Sequence, residues 1–470
     1  MTLRGKSRIG LRLGILFSVA LWIGCGHPVG VRPLNAREVH RALISNVLTT
    51  GELSARSQQL LERTAALEQF RDDPESTLAV FHTSLATGSA QHRRFVLFPM
   101  AELSFYYAEK SGKKEHYLAA AFYAYSWLFG QAEGTVSDPL DPHIRLAANL
   151  YNQAIVAVFR NKPGDRVLLV AGDYPLPFGS MEIEITEEHF ERHDYVYEDF
   201  RAAAELGVTG LRNRFRRAGI GAPLAARLRR KVELGSGEVE YFSRLIRLPI
   251  TAFLRIEDPV GALSNNRIHG RIELYSSAET EKIDVDGRRI QLEYETTASL
   301  AYGLADDSAW NFEITGFLSS RDEPEFQPLT ILRPYQPGKV PLVLVHGTAS
   351  SPARWADLVN ELYSESWFRR HFQIWVFRYD TGNPVAYSAG ILRETLEEII
   401  DRFDPNGEDD ALKHMVVVGH SQGGLLTKMT AIESGDRFWD NLSPVPFWKV
   451  NLSDEVRRLL ERSIFFTPLP

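Results

Sequence analysis

The sequence predicts a multidomain protein with a helical N-terminal domain, a β-rich middle domain and a partial C-terminal α/β domain with a mainly parallel sheet. Three observations support this prediction. The 470 residues are enough for roughly three domains of about 150 residues. Apolar residues recur at helical spacing up to about residue 162 and then group into short, strand-like runs. Near the C-terminus, continuous apolar runs alternate with helical patterns, as in sheets covered on both faces. The expected divisions are a signal peptide over 1–24, a helical domain over 36–162, a β-rich domain over 163–320, a linker over 321–338 and the α/β domain over 339–470.

The composition narrows the functional classes. Hydrophobic residues make up 44% of the chain and charged residues 24%, which is a globular balance and excludes disordered, collagen-like and multi-span membrane proteins. The 53 basic residues are outnumbered by 60 acidic ones, so nothing indicates nucleic-acid binding. A single cysteine permits neither an internal disulfide nor a thiolate zinc cage. We therefore expect no nucleic-acid partner, no metal and no organic cofactor.

The first thirty residues have the layout of a secretory signal. Basic residues precede an apolar stretch, Leu13 to Ile23, which at eleven residues is shorter than the roughly 20 needed to span a bilayer. The segment from Leu21 to Cys25 resembles the lipobox of bacterial lipoproteins, in which the signal is cut before an acylated cysteine. This resemblance implies a lipid anchor on Cys25 and a place in the bacterial cell envelope, with Gly26 favouring the outer membrane. The alternative is an ordinary signal peptide with an incidental cysteine.

Three amphipathic segments predict the main helices of the N-terminal domain: Phe95 to Lys110, His116 to Gln131 and Asp141 to Asn161. Two interpretations of this domain stay open, a docking solenoid for a protein partner and a plain helical packing domain. We favour the packing domain, because no repeat period supports a solenoid.

The middle of the chain contains strand patterns, a turn and a basic stretch. Short apolar runs, among them Ile250 to Ile256 and the alternating Ile290 to Thr296, predict strands, and Asp286-Gly287 predicts a hairpin turn. The arginine-rich stretch from Arg212 to Lys231 predicts a helix, facing either solvent or anionic lipid. Four prolines between 323 and 338 predict an extended linker.

The sequence Gly419-His420-Ser421-Gln422-Gly423 contains the strongest chemical signal. It follows the apolar run Met415 to Val418 and precedes a helical pattern, so it reads as strand, G-x-S-x-G turn and helix. A turn this sharp lifts the serine hydroxyl clear of the sheet, and glycines at both ends avoid collisions with the neighbouring backbone. Ser421 is therefore the candidate nucleophile, with a helix N-terminus behind it that favours negative charge.

A second motif lies about 75 residues upstream, where the apolar run Val340 to Val345 ends in His346-Gly347-Thr348. Together with the elements between them, the two motifs resemble the first half of the α/β-hydrolase superfamily. This resemblance implies a serine esterase or lipase acting on carboxylic esters, most plausibly of a lipid or a similarly apolar acyl donor. It also implies an oxyanion hole made by the backbone N–H groups of Thr348 and Gln422. In the same family pattern His346 shapes the oxyanion loop, and His420 packs sideways from the nucleophile.

The chain has no histidine after His420. A serine nucleophile needs a histidine base, which in turn needs an acid to hold its tautomer, and the resemblance implies that both follow the serine. We therefore expect a C-terminally shortened hydrolase whose own activity stays open. Recruitment of His346 or His371 is one alternative. The other is a catalytically inactive, envelope-anchored binding protein with a degenerate hydrolase domain.

Overall fold

A computed structural model describes residues 30–130, 140–186, 195–231, 241–242, 246–305 and 328–469. The predicted signal peptide and Cys25 lie outside these residues. Helices and mixed sheets occur in several parts of the chain, consistent with a multidomain α/β protein. None of the described helices is both long enough and apolar enough to cross a bilayer.

The N-terminal region is helical, and the three predicted segments there are confirmed as helices. Alanines at 119–121 are at most 1% exposed, which lets neighbouring helices pack closely. Asp73 caps one helix start, and Gly112 ends the longest helix in a left-handed conformation (φ 72°). The helices are α1 Ala36–Ile44, α2 Ala55–Arg63, α3 Leu67–Asp72, α4 Pro74–Thr87, α5 Ala90–Ser111, α6 Lys114–Phe129 and α7 Pro142–Val158.

The middle region contains a seven-stranded sheet with the order β1-β4-β6-β7-β8-β3-β2, in which only the β3–β8 pair is parallel. Its strands are β1 Arg166–Val167, β2 Gly172–Leu176, β3 Gly179–Thr186, β4 Tyr195–Ala202, β6 Ala222–Arg230, β7 Arg247–Ile256 and β8 Arg267–Ser276. Strand β7 is buried continuously from Leu248 to Leu254, so both faces of the sheet are covered. The hydroxyl of Tyr151 on α7 donates to the Leu254 carbonyl at 2.6 Å, which joins the helical layer to the sheet.

The helix predicted for the arginine-rich stretch is wrong. Residues Arg216–Arg217 form the short strand β5, and the following arginines belong to β6. The leucine, alanine and arginine content favours a helix locally, but pairing with β4 and β7 on either side overrides that preference. Several of these arginines pair with carboxylates of the protein, as Arg227 and Arg229 do with Glu198.

The predicted turn at Asp286-Gly287 is confirmed, with φ of 51° and 76°, and it joins β9 (Lys282–Val285) to β10 (Arg288–Gln291). The single strand predicted over Ile290 to Thr296 is wrong, because the chain changes partner after Gln291. Strand β11 (Tyr294–Glu295) pairs with β5, and helix α8 (Thr296–Leu304) begins at the next residue.

The C-terminal region contains a four-stranded sheet with the order β12-β14-β13-β15. Strand β13 is parallel to both neighbours, and β12 is antiparallel to β14. The predicted linker therefore contains an edge strand, a position that tolerates nearby prolines. The strands are β12 Leu329–Ile331, β13 Val340–Val345, β14 Phe372–Phe377 and β15 Val416–Gly419.

Helices cover both faces of this sheet, because alternate strand residues join different hydrophobic clusters. Leu344 packs with Val359 of α9 on one face, whereas Val343 belongs to the cluster that contains Leu396 of α11 on the other. The helices are α9 Ala356–Ser364, α10 Ser366–His371, α11 Val385–Phe403, α12 Asp410–Lys413, α13 Gln422–Met429, α14 Arg437–Asp440 and α15 Asp454–Ile464.

One hydrophobic cluster runs through all three regions and includes Phe122, Phe253 and Trp375. Polar contacts join the middle and C-terminal regions as well, since the side chain of Asn360 donates to the Asn213 carbonyl at 2.8 Å. The expected domain limits stay predictions, but the three regions share their interior.

Candidate active site

The register of the C-terminal sheet brings three loops to one edge. Val345, the last residue of β13, lies opposite both Phe377 of β14 and Gly419 of β15. The chain segments 346–348, 378–381 and 420–422 therefore leave the sheet side by side. The carboxyl edge of parallel strands is where open α/β sheets place their ligands.

Ser421 occupies a sharp bend between β15 and α13. Its backbone has φ 54° and ψ −121°, a conformation that normally favours glycine and costs a serine on the order of 1–3 kcal/mol. Two hydrogen bonds hold the bend: Gly423 N–H donates to the His420 carbonyl at 3.0 Å, and Gly424 N–H donates to the Ser421 carbonyl at 2.9 Å. The serine side chain is exposed. The predicted order of strand, bend and helix is present.

Glycines at this edge allow the backbone to approach closely. A Cβ added to Gly419 would lie 2.2 Å from the Gly423 carbonyl oxygen, and one added to Gly423 would lie 2.4 Å from the His346 carbonyl oxygen. A Cβ on Gly347 would lie 3.0 Å from Cβ of Ser421, so the 346–348 loop runs directly beside the bend. At Gly424 the nearest atom would be 3.5 Å away, an ordinary contact.

Side-chain contacts connect the two residues expected to form the oxyanion hole. The Thr348 hydroxyl donates to Oε1 of Gln422 at 2.8 Å, and Nε2 of Gln422 donates to the Thr381 carbonyl at 3.4 Å. The Thr381 hydroxyl in turn accepts from the backbone N–H of Ala349 at 3.2 Å. The structure thus brings Thr348 and Gln422 together beside Ser421.

His346 has the surroundings of a structural residue. It is 2% exposed, and its ring stacks on Tyr379 with 4.6 Å between ring centroids. Nε2 accepts from the Tyr379 N–H at 3.4 Å, which leaves Nδ1 to donate to the Gly347 carbonyl at 3.1 Å. Burial raises the pKa of Tyr379 to about 12, so its hydroxyl stays protonated and donates to the His346 carbonyl at 3.0 Å. With both ring nitrogens engaged, His346 orders the loop instead of accepting a proton from Ser421.

The other two candidate histidines are placed differently. His420 is exposed and lies edge-on to Trp355, with ring centroids 6.5 Å apart. His371 ends α10 immediately before β14, so it lies at the amino edge of the sheet, and the six-residue strand between the two edges spans about 20 Å. This distance excludes His371 as a base for Ser421. Among the described residues, no side chain hydrogen-bonds to the Ser421 hydroxyl.

Strand β15 is less covered than the other parallel strands. Val416 is 42% exposed, whereas β13 is buried from Pro341 to Val345. Within the part of the chain that the structure describes, β15 pairs with β13 alone. Among the described strands, none therefore covers the outer edge of β15.

Two residues of this site, Tyr379 and Thr381, were not anticipated from the sequence. The loop that contains them follows a predicted buried strand, and the carboxyl ends of parallel strands share one edge. The position of this loop after a predicted parallel strand was the sequence feature that could have identified both residues.

Comparison with protein-family models, curated proteins and solved structures finds no match for this chain. No group of three or more histidine, cysteine, aspartate or glutamate side chains within the described ranges is arranged to hold a metal ion.

Proposed function

We propose that this chain carries the nucleophile and oxyanion site of an α/β-hydrolase-type serine esterase acting on a lipid or a similarly apolar ester. The observation that carries the proposal is the strained bend at Ser421, a non-glycine residue held with φ 54° at the carboxyl edge of a parallel sheet. Such strain persists only where the surrounding structure enforces it, and it concentrates at functional sites.

The arrangement of elements supports the same reaction class. The 346–348 loop, helix α9, strand β14, helix α11, strand β15 and the Ser421 bend follow one another in the order of the superfamily that the two motifs resemble. Gly347 lies against the Cβ of Ser421, so backbone N–H groups at Thr348 and Gln422 would be near a carbonyl oxygen bound at the serine. The start of α13 adds partial positive charge at the same point.

In the proposed reaction, Oγ of Ser421 attacks the carbonyl carbon of the ester while a base removes the hydroxyl proton. The resulting oxyanion accepts hydrogen bonds from the N–H groups of Thr348 and Gln422. The bond to the alkoxy oxygen then breaks, the alcohol leaves with the proton, and water hydrolyses the acyl-serine. The proposal assigns only the nucleophile and the oxyanion donors to the described residues.

The second candidate is an envelope-anchored binding protein that holds an ester or acyl group at the same edge without turnover. It is favoured by one observation, that no described histidine contacts the Ser421 hydroxyl.

A fluorophosphonate probe separates the two candidates, because it reacts only with an activated serine. The full chain is incubated with the probe alongside Ser421→Ala and a control, Ser111→Ala, which removes an exposed serine from α5. Labelling of the wild type and the control, but not of Ser421→Ala, supports the esterase. Folded wild-type protein that takes no label supports the binding protein.

We further propose that Cys25 carries a lipid anchor that holds the protein in the bacterial cell envelope. Metabolic labelling with an alkyne palmitate tests this proposal. Incorporation into the wild type and its loss in Cys25→Ser is expected, and equal labelling of the two would contradict it.

A further inference from the structure

Helix α1 stands apart from the rest of the molecule. None of its nine residues is buried, although it contains three large aliphatic side chains. Leu43 is 76% exposed, Val39 44% and Ile44 43%. The apolar face of a helix normally packs against the protein core. The apolar face of α1 is instead largely exposed among the described residues.

The helix is nevertheless well defined by its own sequence. Asn35 accepts from the N–H of Glu38 at 3.0 Å, and the Glu38 carboxylate accepts from the Asn35 N–H at 2.9 Å, which completes a capping box. Ala36, Val39 and Leu43 are three and four residues apart, so they share one face of the helix. Local capping thus holds an amphipathic helix without help from packing.

The polar side of α1 is basic. Arg37 and Arg41 lie on it, and neither makes an ion pair with any residue that the structure describes. The single acidic residue, Glu38, is already engaged by the capping box and by Arg32 at 3.3 Å. The helix therefore presents an aliphatic face flanked by uncompensated positive charge, a combination that suits an anionic phospholipid surface.

We propose that α1 lies in the interface of an anionic bilayer, with Val39 and Leu43 among the acyl chains and Arg37 and Arg41 at the phosphate level. Only ten residues separate Cys25 from α1, so a lipid anchor there keeps the helix within at most about 35 Å of the bilayer. The choice of a bilayer as partner thus rests on the proposed anchor, whereas the serine chemistry is not involved. In this proposal the helix sets the orientation of the anchored protein relative to the bilayer.

The test uses the full chain with Cys25→Ser, which removes its only thiol. One variant adds Val39→Cys and the control adds Val80→Cys, which replaces an exposed valine (61%) on a different helix, α4. Each new thiol is labelled with an environment-sensitive nitrobenzoxadiazole fluorophore, and vesicles of phosphatidylglycerol and phosphatidylcholine are added. The apolar leader, Leu13 to Ile23, is identical in both proteins, so its own affinity for vesicles contributes equally.

We expect the probe at 39 to shift to shorter emission wavelengths with vesicles and the probe at 80 to stay unchanged. Replacing both Arg37 and Arg41 by glutamine should raise the lipid concentration at half-shift by roughly thirtyfold, since each basic residue near an anionic surface adds about 1 kcal/mol. Equal responses at 39 and 80, or none at 39, overturn the proposal. A probe at 39 that is already shielded without vesicles also overturns it, because the face is then covered by protein. If the wild type takes no palmitate label at Cys25 while the probe at 39 still shifts, the anchor alone is refuted.

Discussion

The two large sheets of this protein differ in which residues adopt a left-handed backbone around them. Beside the seven-stranded sheet these residues are Asp199 and Asp258, with φ of 52° and 41°, and Asp286 (φ 51°) lies in the adjoining β9–β10 hairpin. Aspartate tolerates this region because its short side chain bonds to the nearby backbone. Beside the four-stranded sheet they are Ala349 and Ser421, with φ of 47° and 54°, and neither residue type has that compensation. The middle region thus places its left-handed conformations on aspartates, whereas the four-stranded sheet holds strain at one edge.

The sheets also differ in how they use charge. In the seven-stranded sheet, burial alone would raise the pKa of Glu273, but hydrogen bonds from Arg255 and Tyr275 hold it below its usual range. Arg255 is thereby fixed against the sheet, as the arginines around Glu293 are. The four-stranded sheet has apolar faces and an exposed residue, Val416, on its outermost parallel strand. One sheet is built for stability, and the other keeps an accessible edge with strained backbone.

The largest expected effect comes from filling the close approach at the bend. Gly419→Ala places a Cβ 2.2 Å from a backbone oxygen that cannot move independently, so we expect a loss of at least about 3 kcal/mol in the free energy of unfolding. Gly424→Ala is the matched control in the same motif. A Cβ at 424 would lie 3.5 Å from its nearest atom, so this variant should change the free energy of unfolding by less than about 1 kcal/mol. Urea unfolding measures both, and equal losses would show that the bend is not tightly packed.

The next effect concerns the seven-stranded sheet. Glu293 is fully buried and binds Arg216, Arg145 and Asn152, so Glu293→Ala should cost about 2–3 kcal/mol, reduced by the partial exposure of both arginines.

The control for this change is Glu182→Ala, which removes an exposed pair with Arg267 and should cost less than about 1 kcal/mol. Both values come from urea unfolding. Similar small losses in the two variants would mean that buried charge does not stabilise this sheet.

Low pH should also destabilise the protein, through a histidine that packs beside the seven-stranded sheet. Burial lowers the pKa of His82 from 6.5 to about 4, where its ring stacks on Phe178 in the turn between β2 and β3. The folded state favours the neutral His82 ring. The ring's contribution to the free energy of unfolding is therefore complete above pH 6.5 and is lost as the pH falls towards 4. We expect the wild type to lose about 1 kcal/mol more than His82→Gln between pH 7 and pH 5, after allowance for partial exposure.

The exposed His40 provides the comparison for this pH effect. His40→Gln should keep the full wild-type loss of unfolding free energy. If His82→Gln destabilises with falling pH as steeply as the wild type, another group causes the acid sensitivity.

The smallest effect is a gain in stability. Ser421→Gly removes the side chain from a conformation that glycine adopts freely and should stabilise the protein by up to about 1 kcal/mol. Ser421→Ala keeps the Cβ and should show no gain. Asp286→Gly, at a similar φ of 51°, should be nearly neutral because aspartate already suits its turn. Thermal unfolding ranks the three, and a stabilised Asp286→Gly would remove the contrast between the two sheets.

Local patterns predicted the bend well and the pairing of strands poorly. The need for glycine at 419 and 423 follows from a short motif, and the atoms they approach are close in sequence or in the adjoining loop. The composition of the arginine-rich stretch favours a helix. Its actual conformation is set by hydrogen bonding to β4 and β7, which lie elsewhere in the sequence. Thr381 was missed since its contact with Gln422 depends on the register of β13 with β14, which no local pattern contains.

The hydrophobic interior extends without a break from Phe122 through Phe253 to Trp375, so we expect the three regions to unfold together. Excising either sheet would leave large aromatic side chains facing water. Calorimetry of the whole protein should therefore show one endotherm for both sheets, and the strained edge at Ser421 draws its rigidity from the entire molecule.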